Sequence, residues 1–406
     1  MHLCLCTSLL VLIAIKAAAA YVPESTTQTD RLAGLSLIKL TSVVADGTLK
    51  KQLAKKGVHQ SCSISNLAIR REYSTLLDEE KLTYTNAIKC LMGAPSKIPT
   101  DVAPGAKSRY DDFVAIHINQ TKTIHNTGNF FSWHRYFTWA FEKALQDECG
   151  YQGTIPYWNW GKSAVDPIDS PYLDGSQYSQ GGNGIWAPHN CTRPGSLYAP
   201  CISPVVEGRG GGCVETGPYV GVEANISSVD TWFDYPNVVA GPFLGYQPRC
   251  MRRDILPEFT VKWATDAHLL DLLTNSSYNT IGPFQDRLQA GTGLHSVGHF
   301  TYGGDPGGDI YTSPNDPMFW LHHSMIDRTW WIWQNEQPLE RAFQIAGTQT
   351  MQDSPPSANA TVEDIIDIAF VTPRGGPTYG IKNHVSTVAG PYCYIYPSTN
   401  SRYVCT

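Results

Sequence analysis

The chain has 406 residues, of which 42% are hydrophobic and 16% charged, with a formal net charge of −6. That length and composition suit a globular protein able to bury a large core. Without Lys16 of the leader the balance is 29 basic against 36 acidic residues, or −7, which excludes the basic footprint of a nucleic-acid or anionic-membrane binder.

Residues 1–20 read MHLCLCTSLLVLIAIKAAAA. The apolar run from Leu3 to Ile15 is shorter than the roughly 20 residues of a membrane-spanning helix. Ala18, Ala19 and Ala20 fit a cleavage site, so the stretch predicts a signal peptide and a secreted protein. No later stretch has the length and apolarity of a membrane span. The remainder, 21–406, is expected to form one mainly α domain with its core at residues 62–396. Five Asn-x-Ser/Thr triplets, at Asn119, Asn190, Asn225, Asn275 and Asn359, agree with secretory passage. Nine of the 11 cysteines lie beyond the leader. An oxidising compartment favours disulfides among them, and an odd number leaves at least one without an internal partner. The pairing is not readable from the sequence.

Apolar residues at helical spacing predict helices over 64–92, 107–118, 131–148, 252–273, 284–300 and 315–335. The third ends at Cys149-Gly150, a glycine stop signal. Residues 161–250 are rich in glycine, proline, asparagine and serine, including GGNG at 181–184 and GRGGGC at 208–213. Loops this long inside a compact protein are more often functional rims or lids than linkers. After Trp333, short apolar runs between prolines and glycines predict strands or extended loops. No domain boundary, repeat or low-complexity tract is evident.

The histidines are unevenly placed. His117, His125 and His134 form one group, and His295, His299, His322 and His323 another. His295 and His299 are four apart, so on a helix they share a face and can meet one metal ion. Alone, such a pair is more often a surface or core feature. His322 and His323 point about 100° apart on a helix, so one serves a metal and the other is its neighbour. Helical geometry does not settle which. His117 follows the apolar face of Tyr110, Phe113 and Val114, and His134 sits among Phe130, Phe131, Trp133, Phe137 and Phe141. A single histidine among aromatics is usually core, but two groups of three are hard to explain as packing.

SWHRYF followed by CGYQGTIPYWNW, and GLHSVGH followed by DPMFWLHHSMIDRTWWIWQ, resemble the two copper signatures of the tyrosinase and catechol oxidase family. The resemblance runs from Cys62 to CYIY at 393–396 and is closest to the short secreted fungal branch. It implies a four-helix core around two copper ions. One would be held by His117, His125 and His134 and the other by His295, His299 and His323, with His322 a neighbour. Neutral imidazole suits copper. Two coppers, each taking one electron, match the two-electron oxidation of an o-diphenol or o-aminophenol by O2, and aromatic walls offer a platform for a phenolic ring. The implied role is pigment formation or secondary metabolism. Asp327 and Arg328 are expected to hold helices together rather than to react.

Several positions depart from the family pattern. Thr123 stands where some members have a cysteine bound to the second histidine of the first site. Ser296 stands where many monophenol-active members have asparagine. The glutamate that some members carry before His295 is absent from FQDRLQAGTGLH, leaving Asp286 and Gln289 as catalytic candidates. Ile310 occupies the position of a bulky gate, and with Ser296 and Phe300 it is expected to shape the substrate pocket. The chain stops ten residues after CYIY, so the covering C-terminal domain of many precursors is expected to be absent. These departures favour diphenol oxidation over monophenol hydroxylation. Two other readings keep the six histidines: zinc in place of copper, giving a non-redox lyase or hydrolase with Asp286 as acid/base, and a non-enzymatic oxygen carrier like the haemocyanins.

Overall fold

A computed structural model describes residues 27–60, 62–189, 210–230, 240–373 and 378–399. The expected leader, Asn190, Cys191, Cys201 and Cys405 lie outside the described residues. The core helices are α1 (Gln28–Ala45), α2 (Thr48–Lys55), α3 (Asp78–Gly93), α4 (Arg109–Ile124), α5 (Phe130–Cys149), α6 (Pro257–Trp263), α7 (Asp266–Thr274), α8 (Ile281–Gln289), α9 (Leu294–Tyr302) and α10 (Met318–Glu336). Helices α4 and α5 pack together, α5 packs on α10, and α9 packs on α8 and α10. These helices surround the histidine groups. No single described helix is long and apolar enough to cross a membrane.

Local chemistry sets the boundaries. Ser108 caps α4 by accepting from the Asp111 N–H at 3.1 Å, while the Asp111 carboxylate accepts from the Ser108 N–H at 2.8 Å. This reciprocal capping box satisfies two orphan donors. Helix α5 stops at Gly150, whose φ of +69° is left-handed and whose N–H reaches back to Gln146, as the sequence predicts. Helix α10 starts after Asp316, whose carboxylate accepts from the Met318 N–H at 2.8 Å.

Four expectations need correction. The helix expected over 64–92 begins only at Asp78. Before it, Ala68–Ile69 is a strand parallel to Tyr394–Ile395, and the Glu80 carboxylate caps the helix at the Leu77 N–H, 2.8 Å away. Helix α4 extends past 118 to Ile124. The segment 252–273 is extended up to Leu256 and then forms two helices, α6 and α7. Pro257 starts the first of them because its missing N–H costs nothing there. The segment 284–300 breaks between Gln289 and Leu294, where a Cβ on Gly293 would lie 2.2 Å from the Leu288 carbonyl oxygen. Helices α1 and α2 have no counterpart among the expected elements. The buried face of α1 mixes Thr29, Asp30 and Ser36 with Ala33, Leu37 and Leu40, which blunts its hydrophobic periodicity.

The described parts of the glycine-rich region are stitched down. Gly184–Trp186 pairs with Gly211–Val214, and Glu223–Ile226 with Tyr246–Cys250. Disulfides join Cys62 to Cys393, Cys90 to Cys149 and Cys213 to Cys250. The first closes a ring with a sequence separation of 331 beside the strand pair that joins the two ends of the core. Replacing Cys62 and Cys393 by serine is expected to destabilise the fold by about 2–5 kcal/mol, read by calorimetry.

Candidate metal centre

Each half of the centre is built from backbone upward. His117 lies on α4, His125 is the residue that ends α4, and His134 lies on α5. Their Nδ1 atoms are tied to main-chain carbonyls: His117 to Tyr311 at 2.8 Å, His125 to Thr121 at 3.0 Å and His134 to Phe130 at 2.8 Å. A carbonyl accepts only, so each Nδ1 carries the proton and each Nε2 keeps its lone pair. The three ring centroids lie 5.1–5.9 Å apart. The Nε2 atoms of His117 and His134 are buried with no hydrogen-bond partner.

The other half uses α9 and α10. His295, His299, His322 and His323 offer ring nitrogens within 4.8 Å of one another, but they are not equivalent. The indole N–H of Trp160 donates to His322 Nδ1 at 3.1 Å, so the proton sits on His322 Nε2, which donates to the His295 carbonyl at 2.9 Å. Both ring nitrogens of His322 are thus committed, Nδ1 as acceptor and Nε2 as donor. His299 Nε2 and His323 Nε2 face each other at 3.1 Å, close to the roughly 3 Å between two imidazole donors on one ion. His299 Nδ1 meets the Tyr302 hydroxyl at 2.7 Å, and His295 Nε2 is buried without a partner. His323 is held by its ring neighbours, stacking on His134 at 4.5 Å and on Phe319 at 4.1 Å. That His134–His323 stack makes the two groups adjacent.

Residues 107–336 match the common central domain of tyrosinase. The chain belongs to the tyrosinase family. It is 40% identical over 318 residues to the tyrosinase-like protein orsC of Emericella nidulans, covering 74% of this chain and 82% of that one. It is 34% identical over 354 residues to the N-acetyl-6-hydroxytryptophan oxidase ivoB of the same organism, covering 83% and 94%. Among solved structures, a polyphenol oxidase mutant from Thermothelomyces thermophila superposes with a TM-score of 0.77 at 37% identity, covering 90% of this chain and 98% of that one. As a member of the tyrosinase family with two buried histidine groups, the chain is an oxidoreductase carrying the donor sets of a type-3 dicopper centre.

The electrostatics fit such a tyrosinase site. Burial, and then the neighbouring imidazoles, hold His117, His134, His295, His299 and His323 well below the usual histidine range. Burial alone brings His125 down to about 4. The rings are therefore neutral donors, and partnerless buried nitrogens are costly unless a ligand engages them. Phe319 lies 5.2 Å from His117 and 5.9 Å from His299, and Phe130 lies 4.7 Å from His134 and 5.0 Å from His295. These walls keep water from the rings.

The remaining expected residues fall in different places. Asp286 stands on the exposed face of α8, whereas Gln289 is buried. Gln289 Oε1 accepts from the Asn126 N–H at 2.7 Å, next to His125, and its Nε2 is buried with no partner. The Ser296 hydroxyl lies 3.4 Å from the Gln289 carbonyl oxygen. Phe300 packs its ring 6.0 Å from Phe259 of α6, and Ile310 is half-buried. Asp327 and Arg328 hold helices together, as expected. Asp327 accepts from Arg135, Arg70, Tyr394 and Tyr396, and Arg328 pairs with Asp30 at 2.6 Å. The role of Trp160 has no short-range signal in the sequence, because its partner His322 lies 162 residues away.

Two outcomes follow for this tyrosinase-family centre. In the metal-free protein the unfolded histidines take up protons below about pH 6.5 while the folded ones stay neutral. Stability is therefore full above that pH and falls as pH drops toward about 4 for His125, by up to about 1.4 kcal/mol per pH unit for each histidine, read by thermal melts across pH. Replacing His322 by leucine strands the His295 carbonyl and the Trp160 N–H, and should weaken metal affinity about 10–100-fold in chelator competition.

Proposed function

We propose that the chain is a secreted dicopper oxidase that converts o-diphenols or o-aminophenols to o-quinones or quinone imines, two substrates per O2 with release of two waters. His117, His125 and His134 hold one copper, and His295, His299 and His323 the other. What carries this reading is the meeting of two neutral, nitrogen-only groups through the 4.5 Å stack of His134 on His323. When bound, the metal pair supplies two coupled one-electron acceptors and activates O2. The name of the ivoB relative, an oxidase of a hydroxylated tryptophan, supports a phenolic ring as substrate. The disulfides among the described residues support secretion.

The protein's own part is to orient the phenol and exclude water. Because Gln289 Oε1 is committed to the Asn126 N–H, the amide orientation is fixed and Nε2 is the donor left without a partner, our candidate for bonding a phenolic oxygen. An amide takes no proton at neutral pH, and Asp286 on the exposed face is remote from that role. The site therefore favours diphenols, which are easily oxidised, over monophenols, which need a base near the metals. Ser296 and Ile310 line the approach, while Phe300 backs it against α6.

The purified protein is expected to contain two coppers per chain, to develop an intense near-ultraviolet band with hydrogen peroxide, and to consume O2 with catechol. Two zincs, no band and no O2 uptake would replace this reading with a hydrolytic or lyase one. Gln289→Ala is expected to raise the KM for catechol about 5–10-fold, the loss of about 1 kcal/mol of hydrogen bonding, while Asp286→Asn leaves turnover unchanged. Steady-state O2 uptake measures both.

A further inference from the structure

Four of the five Asn-x-Ser/Thr triplets fall on described residues, and the structure separates them. Asn119, Asn275 and Asn359 are exposed. Asn119 lies on the outward face of α4 two residues after the buried His117, about 200° around the helix axis. Asn275 follows α7 and caps the short turn Ser276–Tyr278, its Oδ1 accepting from the Ser277 N–H at 3.0 Å, and its Nδ2 donates to the Asp271 carboxylate at the exposed surface, also at 3.0 Å. Asn359 is exposed in an isolated antiparallel bridge with Thr348. A bulky sugar on any of these nitrogens extends into solvent.

Asn225 is different. It is half-buried in the strand Glu223–Ile226, on the face opposite the buried Ala224 and Ile226. Its Nδ2 donates to Asp111 Oδ2 at 2.9 Å, and Asp111 is itself 2% exposed. The same carboxylate oxygen accepts from the N–H of Lys107 at 3.0 Å and from the N–H and hydroxyl of Ser108 at 2.8 and 2.9 Å. That oxygen caps α4, the helix carrying His117. The Asn225 nitrogen is thus aimed into the protein and works as a pin.

We propose that Asn119, Asn275 and Asn359 carry N-linked glycans and that Asn225 does not. The assignment rests on the secretory reading above. In the transfer a C–N bond forms between the anomeric carbon of a lipid-linked oligosaccharide and the asparagine Nδ2, the bond from that carbon to the lipid diphosphate breaks, and the amide loses one proton. The reaction takes place on the extended chain, so the folded product decides which acceptors persist. A sugar at Asn225 crowds the contact with the buried Asp111, so chains modified there fold less well and are depleted from the folded, secreted pool.

The full chain is expressed in a secreting fungal host, and the protein recovered from the medium is treated with peptide N-glycosidase in heavy-oxygen water before peptide mass spectrometry. Labelled aspartate at 119, 275 and 359 with unlabelled Asn225 is the expected result. Label at 225, or its absence from the other three, overturns the assignment. Formed disulfides without any label overturn it while leaving secretion standing, whereas free cysteine thiols without label, in protein retained inside the cell, overturn both. The pin has its own readout: Asn225→Ala should lower the Tm by about 2 °C with the glycan pattern unchanged, and an unchanged Tm removes the structural half of the proposal.

Discussion

The metal-bearing halves are joined through one buried carboxylate, Asp327 of α10, which accepts from Arg135 of α5. It stands four residues after His323 on α10, so the two share a helix face. Arg135, which reaches it at 2.6 Å, follows His134 on α5. Arg70 arrives from beside one end of the core, and the hydroxyls of Tyr394 and Tyr396 from the other, each at 2.7 Å. Burial alone would push the Asp327 carboxyl up, but the two guanidinium groups and the hydroxyl donors hold it below the usual carboxylate range. Removing one partner from such a buried ionic cluster costs about 3–5 kcal/mol, because a charge is left without compensation. The stack of His134 on His323 inherits its spacing from this hub.

The sequence displayed the chemistry more clearly than the chain path. Histidine spacing and the aromatic settings of α5 and α10 are local properties, and the two histidine groups seen in the sequence each converge in space. What was hidden depends on long-range partners. What sets His322 apart from His323 is an indole from Trp160, 162 residues away. Helix α1 escaped notice because part of its buried face is polar, with Asp30 matched to Arg328. The apolar residues ahead of Asp78 mimic helical spacing, yet they serve a two-residue strand and the path of Arg70 into the hub.

The glycine-rich region shows the same division. Its composition suggests a rim or lid, but its described parts are anchored by buried arginines. Arg253 forks onto Asp316 with two 2.7 Å bonds and also reaches the Gly181 carbonyl. Arg249 pairs with Asp305 at 2.5 Å and reaches the Ile226 carbonyl. Because Asp316 also caps α10, the loops and the helix bearing His323 share an anchor. A planar guanidinium satisfies several carbonyls and a carboxylate at once, so two side chains order a region with little apolar surface of its own.

The bridge between Cys62 and Cys393 gives the molecule a mechanical character. Everything from α3 through α10 lies on the covalent ring it closes, with a sequence separation of 331. A pull on the two chain ends travels through the sulfur bridge and bypasses both histidine groups. Tension can peel α1 and α2 from outside the ring, but the ring itself stays out of the load path. Reduction of that one bond would release a contour of about 3.3–3.6 Å per enclosed residue and place the metal-bearing helices in series with the force.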